Sequence, residues 1–111
     1  MMGKRIYTTS ARLDDDSATA KFLSPIPNGD RLAKLLAKRE AVSTRAYDDE
    51  TQTARFVESD GNTAICFTVG DITIDQAEMI EMECEDLGAR DEKTFRDAVA
   101  RALGGDFLNP P

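Results

Sequence analysis

Hydrophobic and polar positions alternate in two clear registers along this chain, a two-residue register in its middle and a helical register on either side. Thr51–Ser59 and Asn62–Val69 both alternate and flank Asp60-Gly61. That dipeptide supplies the positive φ angles of a two-residue type I′ turn, so the pattern predicts a β-hairpin. With Asp60 and Gly61 as the whole loop, Phe56 falls opposite Ile65 and Ala54 opposite Phe67 on one face. Val57 then faces Ala64 and Arg55 faces Cys66 on the other. One face is apolar and the other mixed, as expected of a sheet covered by helices on one side.

Helical spacing takes over at Thr73, where a hydroxyl can cap a helix that ends near Leu87-Gly88. Its predicted buried stripe is Ile74, Ala77, Ile80, Cys84 and Leu87. Asp91 can cap a second helix through about Leu103, with Phe95, Ala98, Val99, Ala102 and Leu103 inward, before Gly104-Gly105 stops it. On the N-terminal side, Lys4–Thr9 reads as a strand, Asp14–Ser17 as a solvated loop, and Thr19–Leu23 as a short strand. Ser24–Gly29, with two prolines, is a loop. Asp30 can then cap a helix to about Ala41 that buries Leu32, Leu35 and Leu36.

These elements sum to a single α+β domain over residues 1–111. It would hold a small antiparallel sheet with a central hairpin, one N-terminal helix and a C-terminal helical pair. Residues 1–50 form the N-terminal part, 51–69 the hairpin and 73–103 the helical pair. Residues 104–111 form a loose tail in which Phe107 and Leu108 can dock. At 111 residues there is room for one core only.

Charge divides the chain. Residues 1–55 hold ten Lys and Arg against eight Asp and Glu, whereas residues 56–111 hold four against thirteen; the whole carries −7. Nine carboxylates lie between Asp71 and Glu92 with one base, Arg90. A pole this negative repels free nucleic acid and attracts basic surfaces, while also keeping the protein soluble. No segment reaches transmembrane length, and Thr8-Thr9-Ser10 stands where a signal peptide needs an apolar run, so a cytoplasmic protein is expected. Cys66 and Cys84 are too few for a disulfide framework and read as two reduced, buried thiols.

Catalytic chemistry finds little to use. With no His, Ser–His and Cys–His nucleophile systems are excluded, and two cysteines cannot complete a four-ligand zinc site. Asp14-Asp15-Asp16 lacks the alternate spacing and glycine of a calcium loop. No Gly-rich phosphate loop is present, and carboxylates strung along one helix read as a solvated face rather than a glycosidase pair. The expectation is a non-enzymatic protein with no cofactor and no metal.

Thr63–Leu103 resembles a ribbon-helix-helix domain: a strand, a helix closing on Leu87-Gly88, a tight turn and a second helix. Phe95-Arg96-Asp97-Ala98-Val99-Ala100-Arg101-Ala102-Leu103 is similar to that family's second helix. The resemblance implies an intertwined homodimer and a DNA-binding transcriptional regulator or antitoxin. Departures from the family pattern bear on DNA reading. Ala64–Val69 offers no Arg, Lys, Asn or Gln to base edges, Arg90-Asp91-Glu92 brings acids to the phosphate position, and Gly70-Asp71-Ile72 shifts the strand's phase.

Two functional readings follow. In the first, the acidic helix docks on a basic protein surface through Asp75, Glu78, Met79, Met82 and Asp86. The two methionines stand off the buried stripe as adaptable apolar anchors, unless they pack on the N-terminal half. A regulator or inhibitor fits this reading; in composition the chain is similar to small acidic proteins of phages and bacterial mobile elements that blunt nucleic-acid-handling machinery. In the second, Arg31, Lys34, Lys38, Arg39 and Arg45 contact nucleic-acid phosphates.

Overall fold

The computed structural model describes residues 6–24, 26, 29–89 and 91–104, and shows an α+β fold. The chain runs β1 (Ile6–Arg12), α1 (Asp16–Leu23), α2 (Gly29–Ala37), β2 (Val42–Asp48), β3 (Thr53–Ser59), β4 (Thr63–Val69), α3 (Ile74–Leu87) and α4 (Glu92–Leu103). All pairings are antiparallel in the order β1-β4-β3-β2. The β3–β4 hairpin is therefore central, and β1 and β2 are the edges. The expected loose tail lies outside the described residues, apart from Gly104.

The sheet is covered on both faces, not one. Val57, Ala64 and Cys66 point toward α1 and α2, where Leu13, Phe22, Leu32 and Leu36 close one core. Ala54, Phe56, Phe67 and Val69 point the other way, where Ile72, Ala77, Ile80, Phe95 and Val99 close a second. Near-continuous apolar residues along β4, Ala64-Ile65-Cys66-Phe67, are what a strand buried on both faces requires. Phe95 of α4 anchors the second core, stacked on Phe67 with ring centroids 4.4 Å apart and tilted against Phe56 at 5.4 Å.

The hairpin register differs from the expected one by two residues. Phe56 pairs with Phe67, Ala54 with Val69 and Val57 with Cys66, so each residue keeps its face but changes its partner. The cause lies in the turn. Ser59 pairs with Ala64, so four residues and not two form the loop. The Asp60 carboxylate accepts from the amides of Asn62 and Thr63, both at 2.8 Å, and holds the loop open. Within this loop only Gly61 takes a positive φ, 97°, and a Cβ there would sit 2.7 Å from the Arg39 carbonyl oxygen. Glycine is needed both for the backbone angle and for the close approach of the α2–β2 connection.

The N-terminal half needs three further corrections. Thr19–Leu23 is helical: Asp15 caps α1 by accepting from the Ala18 amide at 3.0 Å, and Asp16 sits in the first turn. The Asp run is thus a helix start more than a solvated loop, and there are two N-terminal helices instead of one. Asp30 lies inside the first turn of α2, which begins at Gly29 and stops at Ala37. Arg39 then adopts φ 56°, and the chain turns into β2, a strand the sequence pattern did not reveal. The hydroxyl of Tyr47 on β2 donates to the Ile72 carbonyl at 2.7 Å and ties this edge to the α3 layer.

Candidate docking face on α3

Both ends of α3 follow from local chemistry. Thr73 and Gln76 make a reciprocal capping box, and Gly88 closes the helix in the left-handed conformation at φ 62°, ψ 42°. Asp91 and Thr94 build a second box at the start of α4. The helix between these fixed points turns about 100° per residue, which decides what it presents. Ala77 and Ile80 are buried, Cys84 is half-buried against the same core, and Leu87 is half-buried. Asp75, Glu78, Met79, Met82 and Asp86 fall within a strip of about 100° on the opposite side, and all are exposed. Met79 is 46 % exposed and Met82 68 %.

Ile74 is not in the buried stripe as expected; it is 47 % exposed. It lies six positions before Ile80, which places it about 120° away around the helix, beyond the edge of the core. Ile74, Glu78 and Met82 follow one another at intervals of four residues, so they form a single ridge. The exposed apolar surface of α3 is therefore larger than the methionine pair. The helical projection carried that signal, and spacing by three or four residues taken pairwise concealed it.

Electrostatics reinforce the asymmetry. Of the six carboxylates on α3, only Glu81 forms an ion pair among the described residues, to Arg45 at 3.5 Å. Burial, and then the carboxylates of Glu58, Glu81, Glu83 and Glu85, push the Cys84 thiol up to about 12. Burial is the larger cause, and the four carboxylates add to it in the same direction. Between β2 and α3 lies a groove of about 280 Å³, lined by Arg45, Phe56, Glu58, Glu81 and Glu85 among others. The Cys66 thiol, in the opposite core, is also raised, chiefly by burial, and both cysteines are free.

The five basic residues do not share one surface. Arg31 and Lys34 are exposed on α2, and Lys38 is exposed just past its end. Arg39 spends one guanidinium nitrogen on the Leu13 carbonyl at 3.0 Å. Arg45, opposite Phe56 in the β2–β3 register, faces the α3 side of the sheet, where its pair with Glu81 holds it. Its Nη1 is buried without a hydrogen-bond partner among the described residues. Within residues 63–103, β4 precedes the α3–α4 hairpin, and β4 is bonded on one side to β1 and on the other to β3.

Among the described residues no group of three or more His, Cys, Asp or Glu side chains is placed to hold a metal ion, and no helix is long and apolar enough to cross a membrane. Comparison with family models, curated proteins and solved structures found no match.

Proposed function

We propose that this protein is a non-enzymatic regulator or inhibitor that acts by docking the outward face of α3 on a basic surface of another protein. The observation that carries this reading is the set of exposed apolar side chains on α3, Ile74, Met79 and Met82, among Asp75, Glu78 and Asp86. Apolar anchors within a charged rim match the anatomy of protein interfaces, where the centre supplies most of the energy and the rim sets approach and partner choice. Methionine suits such a role because its flexible thioether adapts to the opposing surface. The two free thiols support a reducing compartment, the cytoplasm.

The experiment compares three immobilised proteins in a lysate of the native host: wild type, Met79→Ser/Met82→Ser, and Asp75→Asn/Glu78→Gln/Asp86→Asn. Wild type should retain a basic partner that both variants lose while remaining folded. Equal retention by all three would refute the reading.

A ribbon-helix-helix regulator of DNA, working as a homodimer, is the second reading, and the order β4-α3-α4 favours it. It needs a strand edge free to pair with a second copy, whereas β4 has both edges engaged within one chain. Detectable duplex binding that falls steeply with salt would favour it over the first.

A further inference from the structure

The basic residues of α2 play no part in the docking face, yet one of them borders a cavity on the other side of the sheet. This cavity, about 150 Å³, lies between α2 and the β2–β3 strands. It is lined by Arg31 from the helix, Arg55 from β3 and Arg45 from β2, the last with its guanidinium committed to Glu81 on the opposite face. Ile26, Leu32, Leu35 and Val57 form its apolar base, and Thr44 contributes from β2. Arg55 points here because it shares its face of β3 with Val57, and its cross-strand neighbours are Ala46 and Thr68, which bring no charge.

Neither arginine has an ion-pair partner among the described residues. Asp48, the carboxylate on this face of β2, is turned to the amides of Glu50 and Thr51 instead. In a chain of net charge −7, two arginines lining one cavity beside apolar side chains without an ion-pair partner among the described residues, Arg55 half-buried and Arg31 exposed, are an unusual disposition of charge. A half-buried charge ordinarily has a partner, and arginine is the side chain best shaped to hold an oxyanion.

We propose that the cleft between α2 and β2–β3 is an oxyanion site in which Arg31 and Arg55 hold a single phosphate group. Its size sets the scale of the ligand. Sites that enclose a whole small molecule run from about 300 to 1,000 Å³, so this cavity takes one phosphate and leaves the rest of the ligand outside. Lys34 lies one turn beyond Arg31 on α2 and Lys38 just past the helix end, where they add attraction but no enclosure.

The test is a titration of nitrogen-15-labelled protein with sodium phosphate at constant ionic strength. Saturable shifts are expected at Arg31, Thr44 and Arg55, with α3 unmoved. Arg31→Gln and Arg55→Gln should each weaken binding about tenfold, the loss of one charge-assisted hydrogen bond. Arg31 is exposed on its helix, so Arg31→Gln keeps the test valid even if Arg55→Gln does not fold. Shifts that grow linearly without saturation, or that saturate unchanged in the Arg31 variant, would overturn the proposal. Parallel titrations with a nucleoside monophosphate and with a short oligothymidine identify the source of the phosphate. Saturation at the two arginines by either one supports the site, and binding of either that leaves both arginines unmoved counts against it.

Discussion

Gly61 carries two constraints at once, a positive φ and a 2.7 Å approach to the Arg39 carbonyl, so its replacement tests the central turn sharply. Gly61→Val should destabilise the protein by about 2 kcal/mol or more in chemical denaturation, since neither strain can be relieved without moving the α2–β2 connection. An unchanged midpoint would mean the turn is built differently. Cys84 makes a separate prediction. Its thiol is raised from 9.0 to about 12 in the folded state, so the fold holds that proton more tightly than the unfolded chain does. The associated stability is complete below about pH 9 and is lost as pH rises from there toward 12. Stability measured across that window should fall less steeply in Cys84→Ala than in wild type. Wild-type Cys84 should also resist alkylation at pH 8 in the absence of denaturant. Asp60 behaves oppositely: the amides of Thr63 and Asn62 lower its pKa, so its contribution is present above about pH 4 and fades on acidification.

At the scale of elements, legibility tracked how strongly each signal was local. Thr73, Gly88 and Asp91 mark helix boundaries through bonds within a few residues, and all three stand at the ends of α3 and α4 as expected. Thr73→Ala should cost about 1 kcal/mol and loosen the first turn of α3, detectable as faster amide exchange there. Where tertiary context decides, the sequence spoke less clearly. In α1, Asp15 is a cap and Phe22 the one fully buried side chain, a helix of eight residues with too little pattern to separate it from a strand. The β2 strand has small or polar residues at most positions, and pairing with β3 holds it in place more than any alternation of its own. The hairpin register slipped by two because the Asp60 side chain, not a type I′ backbone, closes the loop. A two-residue shift preserves which face each side chain takes, which is why the apolar face was still identified correctly. On α3, Met79 and Met82 were legible from the projection, and the same projection carried the exposure of Ile74, which its three-residue spacing to Ala77 concealed.

For the whole molecule, the sheet separates two cores and two charge regimes. The apolar contents of α1 and α2 go to one face, and α3 and α4 go to the other, leaving the acid-rich outer side of α3 without a role in packing. The contrast between core and surface substitutions should therefore be large. Ile80→Ala, which empties a fully buried site, should cost about 3–4 kcal/mol, whereas Met79→Ser/Met82→Ser should stay within about 1 kcal/mol of wild type. If the methionine pair costs as much as Ile80, they are core residues and the docking face fails.

The central claim concerns contact, and methionine oxidation reports contact directly. Hydroxyl-radical footprinting of the free protein should oxidise Met79 and Met82 readily, given their exposure. In the complex captured from the native host, both should be protected, with carboxyl labelling of Asp75, Glu78 and Asp86 reduced in parallel. Oxidation of Met79 and Met82 at the same rate in the complex as in the free protein would contradict the assignment of α3 as the binding surface.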